Sequence, residues 1–146
     1  MKISVASDHA GYELKEVVKR HLTAGGHEVI DFGTSSTVSV DYPDFATPAA
    51  CAVASGEVER GVFVCGSGQG MVMTANKVRG VRAALAWLPD VARLSRQHND
   101  ANVLALPARF IATDTALETV DAWLDSEFEG GRHIPRVEKM MKAEEE

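Results

Sequence analysis

Three features of the sequence predict an α/β fold: short β-branched runs alternating with helical periodicities, glycine-rich turns where strands give way to helices, and no internal repeat or low-complexity linker. Such alternation builds a parallel sheet with helices on both faces, joined by right-handed crossovers. The expectation is a three-layer α/β/α sandwich on a five-stranded parallel sheet. With 146 residues, 45% of them hydrophobic, the chain has enough apolar material for one sizeable core and too little for two. Residues 1–146 are therefore read as one domain.

Taken in order, Lys2 to Ala6 is a first strand and Ser7-Asp8-His9-Ala10-Gly11 the polar turn after it. Leu14, Val17, Val18, His21 and Leu22 recur at helical spacing until Gly25-Gly26 stops them. Glu28 to Phe32 is a second strand, and Gly33 to Tyr42 a Ser/Thr-rich loop. Pro43 with Asp44 then starts an alanine-rich helix through Ala54, ended by Gly56. Val62 to Val64 is the central strand, followed by a glycine turn and a short helix from near Met71 to Val78. Val81 to Ala86 is a fourth strand, and Pro89 initiates a helix that runs out near His98-Asn99-Asp100. Val103 to Leu106 is the fifth strand, Thr113 to Asp125 an amphipathic helix, and Ile134 to Lys142 a last helix set apart by Gly130 and Gly131.

Charge and composition exclude several function classes. A formal charge of -6 argues against a general nucleic-acid binder, because phosphate backbones are met by clustered Lys and Arg. No apolar segment approaches the roughly 20 residues that cross a bilayer, and Met1 to Val5 reaches Asp8 and His9 before a signal-peptide core could form. Two cysteines, Cys51 and Cys65, are too few for a disulfide framework. The reading is a soluble, reducing, cytoplasmic protein.

Chemistry concentrates in Cys65-Gly66-Ser67-Gly68-Gln69-Gly70. Three glycines without Cβ atoms let backbone N–H groups curl toward one point and meet a negatively charged oxygen. The helix that follows adds its own unpaired N–H groups and dipole. Cys65 and Ser67 set a thiol and a hydroxyl beside that cradle. The spacing matches neither the dinucleotide fingerprint nor the nucleotide phosphate loop, and a glycine-rich turn also serves simply to reverse the chain. Ligands of parallel sheets bind at the C-terminal strand ends, and Asp8 and His9 fall on the same edge as Cys65 and Ser67. His98 and Asn99 lie where a helix returns to the start of the fifth strand, on the opposite edge. Within one chain they should not meet Cys65; if they are functional, a second subunit must bring them. On spacing alone, a helix end capped by His98, with Asn99, Asp100 and Asn102 as ordinary turn formers, is the plainer reading.

A family resemblance covers almost the whole chain. Ser7-Asp8-His9-Ala10-Gly11, Asp41-Tyr42-Pro43-Asp44, Cys65-Gly66-Ser67-Gly68-Gln69-Gly70, Ala75-Asn76-Lys77, Gly80-Val81-Arg82-Ala83-Ala84, His98-Asn99-Asp100-Ala101-Asn102-Val103-Leu104, and Arg132-His133 with Arg136-Val137 resemble the type B ribose-5-phosphate isomerases. That group is related to the allose-6-phosphate and galactose-6-phosphate isomerases. The resemblance implies a Rossmann-like, cofactor-free and metal-free aldose–ketose isomerase of phosphorylated sugars. It also implies a homodimer or dimer of dimers with shared active sites. By resemblance, Cys65 moves a proton between C1 and C2, Ser67 assists at O1 and O2, and the Gly66, Gly68 and Gly70 amides hold the enediolate. His98 opens the sugar ring with Asp8 assisting. His9, Arg109, Arg132 and Arg136 hold the phosphate, with Tyr42 and Asn99 near the sugar. Arg132 and Arg136, four apart, would share one helix face and grip a phosphate together; a solvated face balancing Glu138 and Glu144 is the plainer reading of the same spacing.

The sequence departs from the pattern in three places: Ser67 stands where many members have Thr, Met71 where some carry a glutamate, and Pro107 where a glycine usually precedes the Ala-Arg pair. Cys65 is therefore the sole candidate base. Isomerisation of ribose 5-phosphate in pentose phosphate metabolism is the expected function. A six-carbon phosphosugar is the alternative within the class. A silent phosphosugar-binding subunit is the alternative outside it.

Overall fold

The computed structural model describes the whole chain, Met1–Glu146. Five strands and six α-helices follow the predicted order: β1 (Lys2–Ser7), α1 (Tyr12–Ala24), β2 (Glu28–Asp31), α2 (Pro43–Ala54), β3 (Arg60–Cys65), α3 (Gln69–Ala75), β4 (Ala83–Leu85), α4 (Pro89–Asn99), β5 (Val103–Pro107), α5 (Thr113–Leu124) and α6 (Ile134–Lys142). The sheet is all parallel, in the order β2-β1-β3-β5-β4. No helix is long and apolar enough to cross a membrane.

Period-two alternation divides the core. Val62 and Val64 of β3 point to one face, where α1, α4 and α5 contribute Leu14, Val18, Leu22, Ala92, Val120 and Trp123. Phe63 and Cys65 point to the other, against Ala46, Ala49, Ala50 and Val53 of α2 and Met71 and Ala75 of α3. β3 and β5 are buried on both faces, which explains their unbroken apolar sequences. Alanine on α2 lets that helix lie close to the sheet.

β1 leads into α1 on one face, whereas its neighbour β3 leads into α3 on the other. Helices that leave adjacent strands on opposite sides open a crevice between the strand ends. The turns at 7–11 and 65–70 form its walls.

Two elements are shorter than the sequence suggests. The helix after the glycine turn ends at Ala75, not Val78, because Asn76 leaves it: its Nδ2 donates to the Ala83 carbonyl at 2.9 Å and its Oδ1 accepts from the Ala83 N–H at 2.8 Å. The fourth strand starts at Ala83, not Val81, because the Arg82 N–H donates to the Asn102 side chain at 2.7 Å instead of to a strand. α3 is thus only seven residues long, and its dipole adds less to the cradle than the sequence implies.

Candidate active site

The first group of expected residues lies at the C-terminal ends of β1, β3 and β5. Cys65 ends β3 and is 4% exposed, paired in register with Pro107 of β5. Gly68 takes a left-handed conformation (φ 75°), and a side chain there would strike Leu85, so this turn requires glycine. The N–H groups of Gly66, Ser67 and Gly68 donate to no protein acceptor. Three donors are thereby left beside the Cys65 thiol, as an oxyanion cradle requires. The exposed Ser67 hydroxyl accepts from the Gln69 N–H at 3.3 Å, which leaves its own proton free to donate.

Neighbouring turns bring the other expected residues to this cradle. The Pro107 ring does not displace Arg109: the Ala108 N–H donates to the Cys65 carbonyl and the Arg109 N–H to the Gly66 carbonyl, both at 2.9 Å. The guanidinium lies over Gly66, where an added methyl would come within 3.0 Å of its Nη1. The ring of Tyr42 sits over Gly70 in the same way, 2.8 Å from where a Cβ would stand. Arg109 and Tyr42 therefore cap the cradle, and the small size of Gly66 and Gly70 is what admits them.

Asp8 is buried, and its Oδ1 accepts from the Gly11 N–H at 3.0 Å, folding the turn before α1. His9 accepts at Nδ1 from the Val40 N–H at 3.1 Å, so a neutral ring carries its proton on Nε2. That leaves an N–H donor for an anion. The 33–42 loop is held from beneath by Lys15. This lysine is 1% exposed and donates to Asp31 at 2.7 and 2.9 Å and to the Thr34 carbonyl at 2.7 Å. Lys15 and Lys19 together lower the Asp31 pKa against an opposing effect of burial, so this carboxylate stays charged.

A second group of expected residues lies on the opposite sheet edge, as the crossover argument requires for His98. His98 sits in the last turn of α4, before Asp100, which adopts a left-handed conformation (φ 50°). Asp100 and Asn102 are structural. Arg96 and Arg82 bind the Asp100 carboxylate at 2.8 and 3.2 Å, and Asn102 links Gly80 to Arg82. Asn99, exposed in the same turn, makes no side-chain hydrogen bond and remains available.

Arg132 and Arg136 lie at this edge but do not share one α-helix. Arg132 belongs to a 3-10 turn, Gly131–His133, that precedes α6, and only Arg136 is helical. Gly130 and Gly131 both have positive φ and turn the chain just before Arg132. Glu144 does not balance the arginines, because its carboxylate accepts from the Gly80 N–H at 3.0 Å.

His133 carries no role in the expected site, yet its ring stacks on His98 with centroids 4.3 Å apart and planes 14° from parallel. Burial, then the charges of His98 and Arg132, lower its pKa from 6.5. Its only sequence signal is its place between Arg132 and Arg136.

A family model described as Ribose/Galactose Isomerase matches residues 3–140. Ribose-5-phosphate isomerase B of Escherichia coli (strain K12) is 47% identical over 144 residues, covering 99% of this chain and 97% of its own. The ribose-5-phosphate isomerase B structure from Clostridium thermocellum superimposes with a TM-score of 0.98 at 52% identity, over 99% of this chain and 98% of that one. The Mycoplasma genitalium ribose-5-phosphate isomerase B, solved with bound ribulose-5-phosphate, superimposes with a TM-score of 0.95 at 41% identity, over 99% and 97% of the two chains.

Proposed function

The chain belongs to the ribose/galactose isomerase family, and on that premise we propose that it interconverts D-ribose 5-phosphate and D-ribulose 5-phosphate. The observation that carries this reading is a nearly buried thiol beside three undirected backbone N–H groups, with Arg109 over the same turn. That arrangement suits removal of a proton next to a carbonyl.

In this reading the Cys65 thiolate takes the C2 proton of the opened aldose. The C–H electron pair becomes the C1–C2 double bond, and the carbonyl π pair moves onto O1. The N–H groups of the cradle face the charge that grows there, each worth about 3–4 kcal/mol in such reactions. Ser67 relays the O2 proton to O1, and the Cys65 thiol returns its proton to C1, giving the ketose. The reaction has no net oxidation and consumes no second substrate, so proton transfer and charge stabilisation suffice. Asp8 assists at the ring oxygen during opening, and His9 and Arg109 bind phosphate through the Nε2–H and the guanidinium.

His98, Asn99, Arg132 and Arg136 complete the site from a second copy. Each chain carries one half-site on each edge of its sheet, so a homodimer makes two whole sites from four halves. His98 then opens the furanose ring, and Arg132 and Arg136 close over the phosphate. Residues 1–146 act as one cytoplasmic domain of pentose phosphate metabolism.

The test is isomerisation of ribose 5-phosphate by the purified chain with a chelator present, compared with allose 6-phosphate and with Cys65→Ala. The expected result is ribulose 5-phosphate formation that falls by about 10²–10⁴-fold in the variant. Activity confined to allose 6-phosphate would move the substrate within the class. No turnover of either sugar would favour a silent binding subunit.

A further inference from the structure

We propose that His98, Glu129 and His133 form a binding site for a divalent ion of the zinc class, and that filling it switches the enzyme off by withdrawing His98 from catalysis. Binding rests on these three side chains alone; the inhibition rests on the proposed isomerase reading.

Each of the three offers one ligand atom, and these atoms all lie within 4.8 Å of one another. They come from two segments, the end of α4 and the turn at 129–133, held together by backbone bonds. The Glu129 N–H donates to the Gln97 carbonyl at 3.0 Å, which fixes Glu129 beside the turn that carries His98. The His133 N–H donates to the Gly130 carbonyl at 3.1 Å, so the chain curls back and sets His133 Nε2 3.7 Å from Glu129 Oε2. The stacked imidazoles complete the cluster on the side of α4.

Two imidazoles and a carboxylate, with a fourth position open to water, match zinc sites in proteins. Magnesium and calcium prefer all-oxygen shells and are poor candidates. Tetrahedral bonds of roughly 2.0–2.1 Å need ligand atoms about 3.3 Å apart, so the cluster must contract by up to about 1.5 Å. Glu129 is about half exposed and free to rotate, and His98 is only partly buried. The parallel rings must tilt so that their lone pairs converge. This rearrangement, together with the positive charges of Arg132 and Arg136, makes the site weak and reversible. It also couples the ion to catalysis, since a His98 nitrogen bound to metal cannot take a proton from the sugar.

The experiment titrates metal-depleted full-length protein with zinc against a chromogenic chelator and measures isomerisation in the same solutions. One zinc per chain is expected, with activity falling in step with occupancy and returning on addition of excess chelator. Glu129→Gln keeps the basal activity and binds zinc at least about tenfold more weakly, and His133→Gln weakens binding likewise. Cys65→Ala binds zinc as the wild type does, and a cobalt derivative shows no thiolate charge-transfer band. No zinc binding, binding unchanged in both Glu129→Gln and His133→Gln, or binding lost in Cys65→Ala would overturn the site. Full activity of zinc-occupied enzyme would overturn the switch. A wild-type chain that binds zinc as described but isomerises no sugar would refute the isomerase reading and leave the site standing.

Discussion

Replacing Gly11 by alanine adds one methyl group where the turn after β1 rests on the end of β3. Gly11 has an ordinary φ of -96°, so alanine meets no backbone strain there and the cost is steric. The new Cβ would collide with the Val64 carbonyl and stand 2.9 Å from the Cys65 nitrogen. All of these atoms are backbone of a buried strand, with no flexible side chain to yield. Overpacking of an interior costs about 1–3 kcal/mol, and this case falls at the upper end, about 3 kcal/mol. For a chain of this length that lowers the melting temperature by about 6–12 °C. The turn must back away from β3, taking with it Asp8, which is tied to the Gly11 N–H. A displacement near 1 Å in a positioning group costs about 10²-fold in rate. Gly25→Ala is the control: its φ is -77° and the nearest atom is 3.4 Å from the new Cβ, so stability stays within about 0.5 kcal/mol of wild type. The assay is thermal and urea denaturation at one protein concentration, with turnover measured alongside. Wild-type stability and activity in Gly11→Ala would refute the claim that this contact sets the geometry of the crevice.

Lys15→Met leaves the Thr34 carbonyl without its donor while Lys19 keeps Asp31 at 2.8 Å, so a loss of about 2 kcal/mol is expected in urea denaturation. His133 has a lowered pKa in the folded state, so unfolded chains take up its proton first as pH falls. Its contribution is fully present above the unfolded value near 6.5 and is lost as pH falls toward the folded one. The stability difference between wild type and His133→Gln should therefore shift toward the variant on acidification from about pH 7.5 to 5.5; a constant difference would contradict that assignment. Arg136→Ala should raise the KM for ribose 5-phosphate by about 10–100-fold while sparing turnover of unphosphorylated ribose. Equal losses on both would remove Arg136 from the phosphate site.

Strand and helix order was legible because each element carries its own period and punctuation: Pro43 and Pro89 begin helices, and Gly25-Gly26 and Gly56 end them. The cradle was legible because a left-handed turn such as that at Gly68 admits little but glycine. The placement of His98 on the edge opposite Cys65 followed from topology, since α4 must carry it back to where β5 begins. What stayed hidden depends on contacts distant in sequence. Asn76 ends α3 by binding Ala83, and Asn102 shortens β4 by binding Arg82, neither of which a local window reveals. The stacking of His133 on His98 joins residues 35 apart in sequence, which no local window reveals. Arg109 and Tyr42 appeared in the sequence only as members of motifs; their seats over Gly66 and Gly70 give them a physical reason.

In the proposed reading, Cys65 and His98 serve one active site from two copies of the chain. Its most direct test mixes inactive Cys65→Ala with inactive His98→Ala under conditions of subunit exchange. A mixed dimer brings the intact Cys65 half of one chain to the intact His98 half of the other, restoring one of its two sites. With random exchange half of the dimers are mixed, and recovery of about one quarter of wild-type activity is expected. No recovery in a mixture whose heterodimers are demonstrated by mass would contradict it, and would mean that each site is built within a single chain.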